Sequence, residues 1–452
     1  MLLDVQFKNF LSFNHMTDGK PVSFSLVPGR VHGKKEHVFE EGKFRTLKYM
    51  SVFGANATGK SNFVKALRFI QLAVRGHLSQ RNISCYFKLE PENNEKDSSF
   101  EISILLHGIV YRYGFSILLK DSCFLQEWLV EQPNPKVSRK IFTRNIVEDY
   151  CYFYGRFKNG ELYKKLKIYA DDVSRDSSVL LLTILNKNKD RLYSEYPEVQ
   201  VIRDVYRWIT QNLTIGLGNM PISDYEYFVK EDNIENINKV LNHFATGIQK
   251  FKIVEVPEER LLDDMPRKLR KMLIDRLESN RRIIDKNEVA ESGVVIRAGK
   301  DLFIITLVGD TDKIVCKTIK FIHEKQGILF DFWEESDGTI RLLDLLDILL
   351  ADSSRTFVID EFEARLHPNL TCEFIRMFLE RTKDRNTQLI ITTHETGLMN
   401  LNLVRRDEIQ FIQKDENGGS IVVPLETKRV RFDKSVSRSY LIGEYGGVPE
   451  FK

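Results

Sequence analysis

Eight residues near the N-terminal end, GANATGKS from Gly54 to Ser61, have the spacing of a phosphate cradle, G-x-x-x-x-G-K-[ST]. Glycines let the backbone fold tightly round a phosphate chain. The lysine reaches the outer phosphates, and the hydroxyl residue can ligate Mg²⁺. Gly54, Ala55, Asn56, Ala57, Thr58, Gly59, Lys60, Ser61 and Asn62 are therefore the expected nucleotide-binding residues, with Ser61 also a magnesium ligand. A Gly-rich turn that binds nothing is the competing reading. The β-rich run LKYMSVFG before the loop and the helical stretch KSNFVKALRFIQLAV after it supply the strand–loop–helix context a phosphate loop needs.

A phosphate loop that turns over its nucleotide needs acids nearby, and TFVIDEFEARLHP supplies them at the end of a strand-like run. Asp360 is placed to bind Mg²⁺, and Glu361 to act as general base or to polarise water. Adjacent acids alone would more simply begin a loop; the phosphate loop tips the balance. A third run, QLIITTHE, is a buried-looking strand ending in His394. If this strand lies beside the Asp360 strand, His394 emerges at the same carboxyl edge of the sheet, where α/β proteins bind ligands, and becomes a candidate γ-phosphate sensor. A fourth feature, the knot Ser336-Asp337-Gly338-Thr339, opens the apolar helix IRLLDLLDILL. A helix N-terminus with unpaired N–H groups and a glycine is a natural anion site. It is equally a plain cap, with Ser336 or Asp337 as the capping residue, and the two readings are compatible.

These residues must be positioned by an α/β scaffold. LLDVQFKNF reads as a strand, and residues 85 to 155 turn to aromatic and β-branched runs, with His107-Gly108 as a two-residue hairpin turn between SFEISILL and IVYRYGFSILL. Residues 156 to 290 read as mainly helical and highly charged, with no heptad run long enough for a coiled-coil arm. Strand character then returns, followed by a helix from the knot, the strand RTFVID, a helix from Pro368 to Arg381, the strand TQLIITTH, and short strands in DEIQFIQKD and SIVVPL. The expected division is residues 1–155 as the N-terminal half of one α/β domain with its β lobe, 156–290 as a mainly helical insertion, and 291–452 as the C-terminal half.

Composition narrows the class. At 452 residues, 42% hydrophobic and 29% charged with a net charge of +3, the chain reads as soluble, and bulk charge does not mark a nucleic-acid binder. Any basic surface must be local. RKLRKMLIDRLESNRRIIDK, residues 267 to 286, carries eight Lys/Arg against three Asp/Glu at near-helical apolar spacing, and reads either as a docking helix for something acidic or as a solvated outer face. The five cysteines, Cys85, Cys123, Cys151, Cys316 and Cys372, show no CxxC spacing, which argues against a disulfide framework or zinc site and for a reducing cytoplasm. No apolar run is long enough to span a bilayer, so no membrane association is expected.

The motifs NFLSF, FGANATGKSN, FIHEKQGILFDFWEESDGT, VIDEFEARLHP, ITTHE, RRDEIQFIQKD and YLIGEYGGVP together resemble the ABC-type ATPase heads of SMC, RecF and OLD-like proteins, most closely the prokaryotic AAA15/AAA21 group. The resemblance covers about residues 1 to 130 and 315 to 452. It implies an ABC-type P-loop ATPase head with an antiparallel β lobe and a mainly helical insertion, hydrolysing ATP with Mg²⁺. It also gives the knot a role: as an ABC signature, Ser336, Asp337, Gly338 and Thr339 would complete the active site of a second copy, so the protein would form a homodimer or higher oligomer with ATP sandwiched between heads. Asp337 replaces a usual glycine and Thr339 a usual glutamine, which implies slow, regulatory hydrolysis. Arg365 stands where related sequences often carry serine, and no Q-loop glutamine is identifiable.

Compact ATPases of this group often accompany a Toprim, RloB-like or HNH nuclease in anti-phage defence systems such as PARIS, Septu and Lamassu. The resemblance therefore implies the sensor or regulatory subunit of such a system, controlling a partner nuclease or toxin effector and responding to a phage-encoded trigger or to nucleic acid. The alternative is a RecF- or SMC-like ATPase acting directly on DNA in repair or maintenance.

Overall fold

The alternating run LLDVQFK forms strand β1 (Leu2–Lys8), with Leu2, Val5 and Phe7 fully buried and Asp4, Gln6 and Lys8 on the half-exposed face. The computed structural model describes residues 1–16, 19–158, 160–218, 221–222, 225–228, 234–257, 293–298, 301–308, 313–323, 327–351, 354–428 and 435–446; the basic stretch 267–286 lies outside them. β1 pairs with β2 (Val22–Ser25), and a hairpin of β3 (Val38–Glu41) and β4 (Phe44–Leu47) leads into β5 (Tyr49–Phe53), a wholly buried strand. The phosphate-loop segment then turns the chain into helix α1 (Lys60–Arg75).

Five strands follow: β6 (Ser98–Leu106), β7 (Ile109–Leu118), β8 (Cys123–Asn134), β9 (Val137–Asn145) and the shorter β10 (Tyr150–Phe153). With β1 and β2 they form the expected antiparallel lobe, a seven-stranded sheet of order β10-β9-β8-β7-β6-β1-β2. Its β6–β7 turn is His107-Gly108, both at positive φ (52° and 73°), which matches the right-handed twist of the flanking strands.

The helices expected after residue 155 are α2 (Gly160–Asp172), α3 (Leu181–Asn186), α4 (Asp190–Glu195) and α5 (Gln200–Arg207). They do not stand apart from the head. Leu166, Leu182, Ile202 and Val205 share one apolar core with Phe63 and Phe69 of α1 and Phe115 of β7, because an amphipathic helix must cover its apolar face and the lobe offers one. The segment ends in β11 (Leu213–Gly216), a strand too short to show a periodic signal in sequence.

A second compact unit comprises residues 221–350 and 364–373; the first comprises 1–220, 351–363 and 374–452. The boundaries thus fall near 220 and 350, whereas the sequence division placed them at 155 and 290. Within the second unit the described residues form α6 (Ile234–His243), then β12 (Ile248–Val256), β13 (Gly293–Ala298), β14 (Asp301–Val308), β15 (Lys313–His323) and β16 (Leu329–Asp331), followed by α7 (Asp337–Leu350). The strands make an antiparallel sheet of order β12-β15-β14-β13, with β16 also on β15.

The first unit resumes with β17 (Thr356–Ile359), and the chain continues through α8 (Pro368–Arg381), β18 (Gln388–Thr392), β19 (Ile409–Lys414), β20 (Ser420–Pro424) and α9 (Val436–Leu441). These strands join β5 and β11 in a core sheet of order β11-β17-β18-β5-β19-β20, parallel except for the final β19–β20 pair. Helix α1 joins this sheet to the lobe: Phe63 stacks on Phe24 at 4.0 Å and Phe69 lies 5.1 Å from Phe10. Burying each such ring stabilises the join by roughly 1.5–3 kcal/mol. No helix among the described residues is long and apolar enough to cross a membrane.

Candidate active site

Parallel strands bring their carboxyl ends to one edge, and β18 lies between β17 and β5. Asp360 and Glu361 follow β17, His394 follows β18 by two residues, and the glycine loop follows β5. All belong to the first unit. The core sheet therefore sets the glycine loop after β5 beside two segments far downstream in sequence, those after β17 and β18.

The loop has the backbone its sequence requires. Ala57 has φ 62° and Gly59 φ 120°, the latter a conformation L side chains rarely adopt. A side-chain carbon at Gly59 would also stand 2.6 Å from Ser420 Oγ and 2.7 Å from Ser12 Oγ, closer than real contacts allow. Ser12 and Ser420 thus press against the loop from two other segments; Asn62 donates to Ser12 Oγ at 2.9 Å, and Ser420 Oγ donates to the Thr58 carbonyl at 2.5 Å. Asn56 and Ala57 are exposed at the tip.

Lys60 is buried, and its ammonium donates to the carbonyls of Gly54 (2.8 Å) and Ala55 (3.0 Å). Burial lowers its pKa, against the opposing pull of Glu363, Asp360 and Glu361 in that order. Three carboxylates therefore face one ammonium, a surplus of negative charge that a cation would offset.

The acidic turn is fastened to the end of β18 by Thr392. Its hydroxyl donates to Asp360 Oδ1 at 2.6 Å and accepts the Glu361 N–H at 3.0 Å, while its carbonyl accepts the Phe362 N–H at 3.1 Å. Asp360 is buried. Glu361 is exposed and sits at φ 49°, a strained conformation for a side chain of its size and one typical of functional turns. His394 is open to solvent at its ring, yet its pKa is lowered, first by desolvation in the turn and then by Lys60, with Glu363, Glu361 and Asp360 opposing. Its backbone N–H donates to Glu363 Oε1 at 2.6 Å.

Ser336, Asp337, Gly338 and Thr339 lie in the second unit, where Ser336 caps α7: its Oγ accepts the Thr339 N–H at 3.1 Å and lies 2.8 Å from the Thr339 hydroxyl. Gly338 has a packing reason of its own. A side-chain carbon there would meet the Arg365 carbonyl at 2.9 Å, and Arg365, at φ 67°, also brings its guanidinium 3.8 Å from Asp337. The capping reading of the knot is therefore physically realised.

Sequence reasoning assigned no role to Glu363, Thr392, Ser12 or Ser420. Glu363 and Thr392 stood within the quoted acidic and histidine motifs and Ser12 within NFLSF, so position inside a motif was the available signal. Ser420 had none.

The family described as "AAA domain, putative AbiEii toxin, Type IV TA system" (AAA_21) matches residues 50–400. No curated protein matches the sequence. Similar solved structures include an SMC head bound to the C-terminal winged-helix domain of ScpA (14% identity, 94% of this chain and 99% of that one, TM-score 0.42) and the SMC head domain from Thermotoga maritima (14% identity, 95% and 99%, TM-score 0.39). A third is the Smc head with an extended coiled coil bound to the C-terminal domain of ScpA derived from Pyrococcus furiosus (16% identity, 94% and 97%, TM-score 0.37).

Proposed function

The chain belongs to the AAA_21 family of P-loop ATPases, and from that premise we propose that it binds and slowly hydrolyses MgATP at the carboxyl edge of its core sheet as the regulatory subunit of a complex with a toxic effector protein. The observation that carries the ATPase part is the ammonium of Lys60, held on the carbonyls of its own loop and facing three carboxylates. Those carbonyls stand in for phosphate oxygens. On nucleotide binding Lys60 exchanges them for the outer phosphates, and the N–H groups of the loop and of the first turn of α1 take up the rest. Glu361, exposed and bonded to the Thr392 hydroxyl through its backbone N–H only, accepts on its carboxylate the proton of the attacking water. His394, kept neutral at neutral pH, hydrogen-bonds the γ-phosphate.

The residues fit a magnesium ion. Ser61 and Asp360 offer hard oxygen donors, and the carboxylate surplus round Lys60 asks for a cation. Bound there by Ser61 and Asp360, Mg²⁺ would neutralise charge on the phosphates.

The second part of the reading is assembly. Ser336 and Gly338 of one copy complete the nucleotide site of another, so that ATP draws two heads together and hydrolysis releases them. The effector reading is supported by the family description, which refers to toxin–antitoxin systems; a nuclease of Toprim or related type is the proposed effector, in an anti-phage setting. Lys60→Ala should abolish ATP binding measured by calorimetry, and Glu361→Gln should accumulate ATP-bound dimers in light scattering while turnover falls at least about 100-fold. Unchanged nucleotide affinity in the first variant, or unimpaired hydrolysis in the second, would overturn the assignment.

A further inference from the structure

We infer that Glu363 is a positioning residue for His394, an inference that rests on the ATPase reading above. Two turns meet at the site, 360–363 after β17 and 392–395 after β18. Thr392 ties its own strand end to Asp360, Glu361 and Phe362. Nothing in that set reaches His394. The link that does is the Glu363 carboxylate, whose Oε1 accepts the His394 backbone N–H at 2.6 Å. A bond from a backbone N–H to a carboxylate is charge-assisted and roughly twice as strong as a neutral one, so it fixes the peptide plane from which the imidazole projects.

The geometry separates this role from that of a base. Glu363 has one oxygen occupied by His394, and its Oε2 is sealed from solvent with no hydrogen-bond partner. With one oxygen bonded and the other buried, Glu363 is poorly placed to activate a water, whereas Glu361, two residues earlier, is exposed. Glu363 is moreover the residue at which the chain leaves the first unit, since Ala364–Glu373 belong to the second. The contact therefore fastens His394 to the point where the catalytic turn ends.

The consequence is a division between binding and turnover. Losing the acceptor lets the 392–395 turn move, and a displacement of about 1 Å at a reacting centre costs up to roughly 100-fold in rate. The loop and Lys60 carry ATP binding, so KM should move far less than kcat even though Glu363 is also one of the carboxylates facing Lys60. The experiment compares Glu363→Ala, Glu363→Gln, His394→Ala and the Ala/Ala double variant in steady-state ATP hydrolysis, together with the amide hydrogen exchange of His394. Glu363→Ala is expected to lower kcat about 10-fold or more with KM within about twofold of the parent. Glu363→Gln keeps an acceptor oxygen and should recover most of that loss. The double variant should be no slower than His394→Ala, because Glu363 acts through His394. The His394 amide should exchange at least about 10-fold faster in Glu363→Ala than in the parent or the glutamine variant.

Fully additive losses, a glutamine variant as impaired as the alanine one, or an equally protected His394 amide in Glu363→Ala would each overturn the inference. Absence of ATP hydrolysis by the parent protein would instead strike the ATPase reading itself, and the exchange measurement still decides whether Glu363 holds His394.

Discussion

Lys60 and His394 share one electrostatic environment, and the coupling between them can be read by titration. Desolvation and the Lys60 charge push the His394 pKa below its ordinary 6.5, while Glu363, Glu361 and Asp360 push the other way. Its folded-state value is thus depressed, so the stability it contributes is complete above about pH 6.5 and is lost as pH falls through the depressed value. At neutral pH the imidazole is uncharged, and ATP hydrolysis should stay flat down to pH 6.5 and decline only below it. Lys60→Ala removes one of the lowering causes and leaves the three acids; the His394 resonance, followed by NMR with labelled histidine and assigned by its loss in His394→Asn, should then titrate at a higher pH than in the parent protein. A titration that moved downward or not at all would mean that Lys60 and His394 do not share the site. Gly54 to Ser61, Asp360 and Glu361 could be picked out from sequence because a phosphate and its metal constrain residue types at short fixed spacings. Ser420, brought to the loop through space by the β19–β20 hairpin, carries no such local mark.

Elements hold these residues in place, and one buried amide ties several of them together. Gln388, the first residue of β18, is fully buried; its Oε1 accepts the Leu2 N–H at 2.9 Å and the Thr356 hydroxyl at 3.1 Å, and its Nε2 donates to the carbonyls of Leu2 (3.0 Å) and Leu47 (2.7 Å). One side chain thus joins the lobe strand β1, the hairpin strand β4 and the core strands β17 and β18. Gln388→Leu keeps the volume but takes the side-chain partner from the buried Leu2 N–H and Leu47 carbonyl, while the Leu2 carbonyl keeps the Thr46 hydroxyl at 2.7 Å, so it should cost roughly 3 kcal/mol of stability, read as a lower urea midpoint for unfolding. A midpoint within error of the parent would show that water replaces the lost bonds. In the sequence Gln388 carries no mark beyond its place in QLIITTHE, because its partners are brought to it through space. The strands β17 and β18 were legible because each is a compact apolar run that leads straight into a motif, Asp360-Glu361 or His394, and the helices α1 and α8 because each is a periodic run opened by glycine or proline. β11 was not: LTIG is four residues long, and its place beside β17 is set by pairing, not by pattern.

At the scale of the whole molecule, the glycine loop and the acidic turn lie in one unit and the Ser336–Thr339 knot in the other. The sequence marked all three motifs; its division at 155 and 290 differs from that of the compact units because α2–α5 look like a charged insertion until their apolar faces are seen packed into the core that holds Phe63 and Phe69. The knot as found is a good cap: Ser336 is bonded to Thr339, and Gly338 is required by the Arg365 carbonyl. Capping alone would make Ser336→Ala a modest stability defect, about 1 kcal/mol. The assembly reading predicts something a cap cannot give. Lys60→Ala and Ser336→Arg should each be inactive alone, the first lacking nucleotide and the second blocking the knot with a bulky side chain. Mixed in equal amounts they can form heterodimers with one site built from the intact loop of one copy and the intact knot of the other. ATP hydrolysis should then reappear, to about a quarter of the parent rate per subunit if pairing is random and the two sites act independently, and should follow the mixing ratio with a maximum near equal amounts. Activity that stayed absent at every ratio, with both variants folded and the Ser336 variant still binding ATP, would confine each site to a single copy and leave the knot as a cap alone.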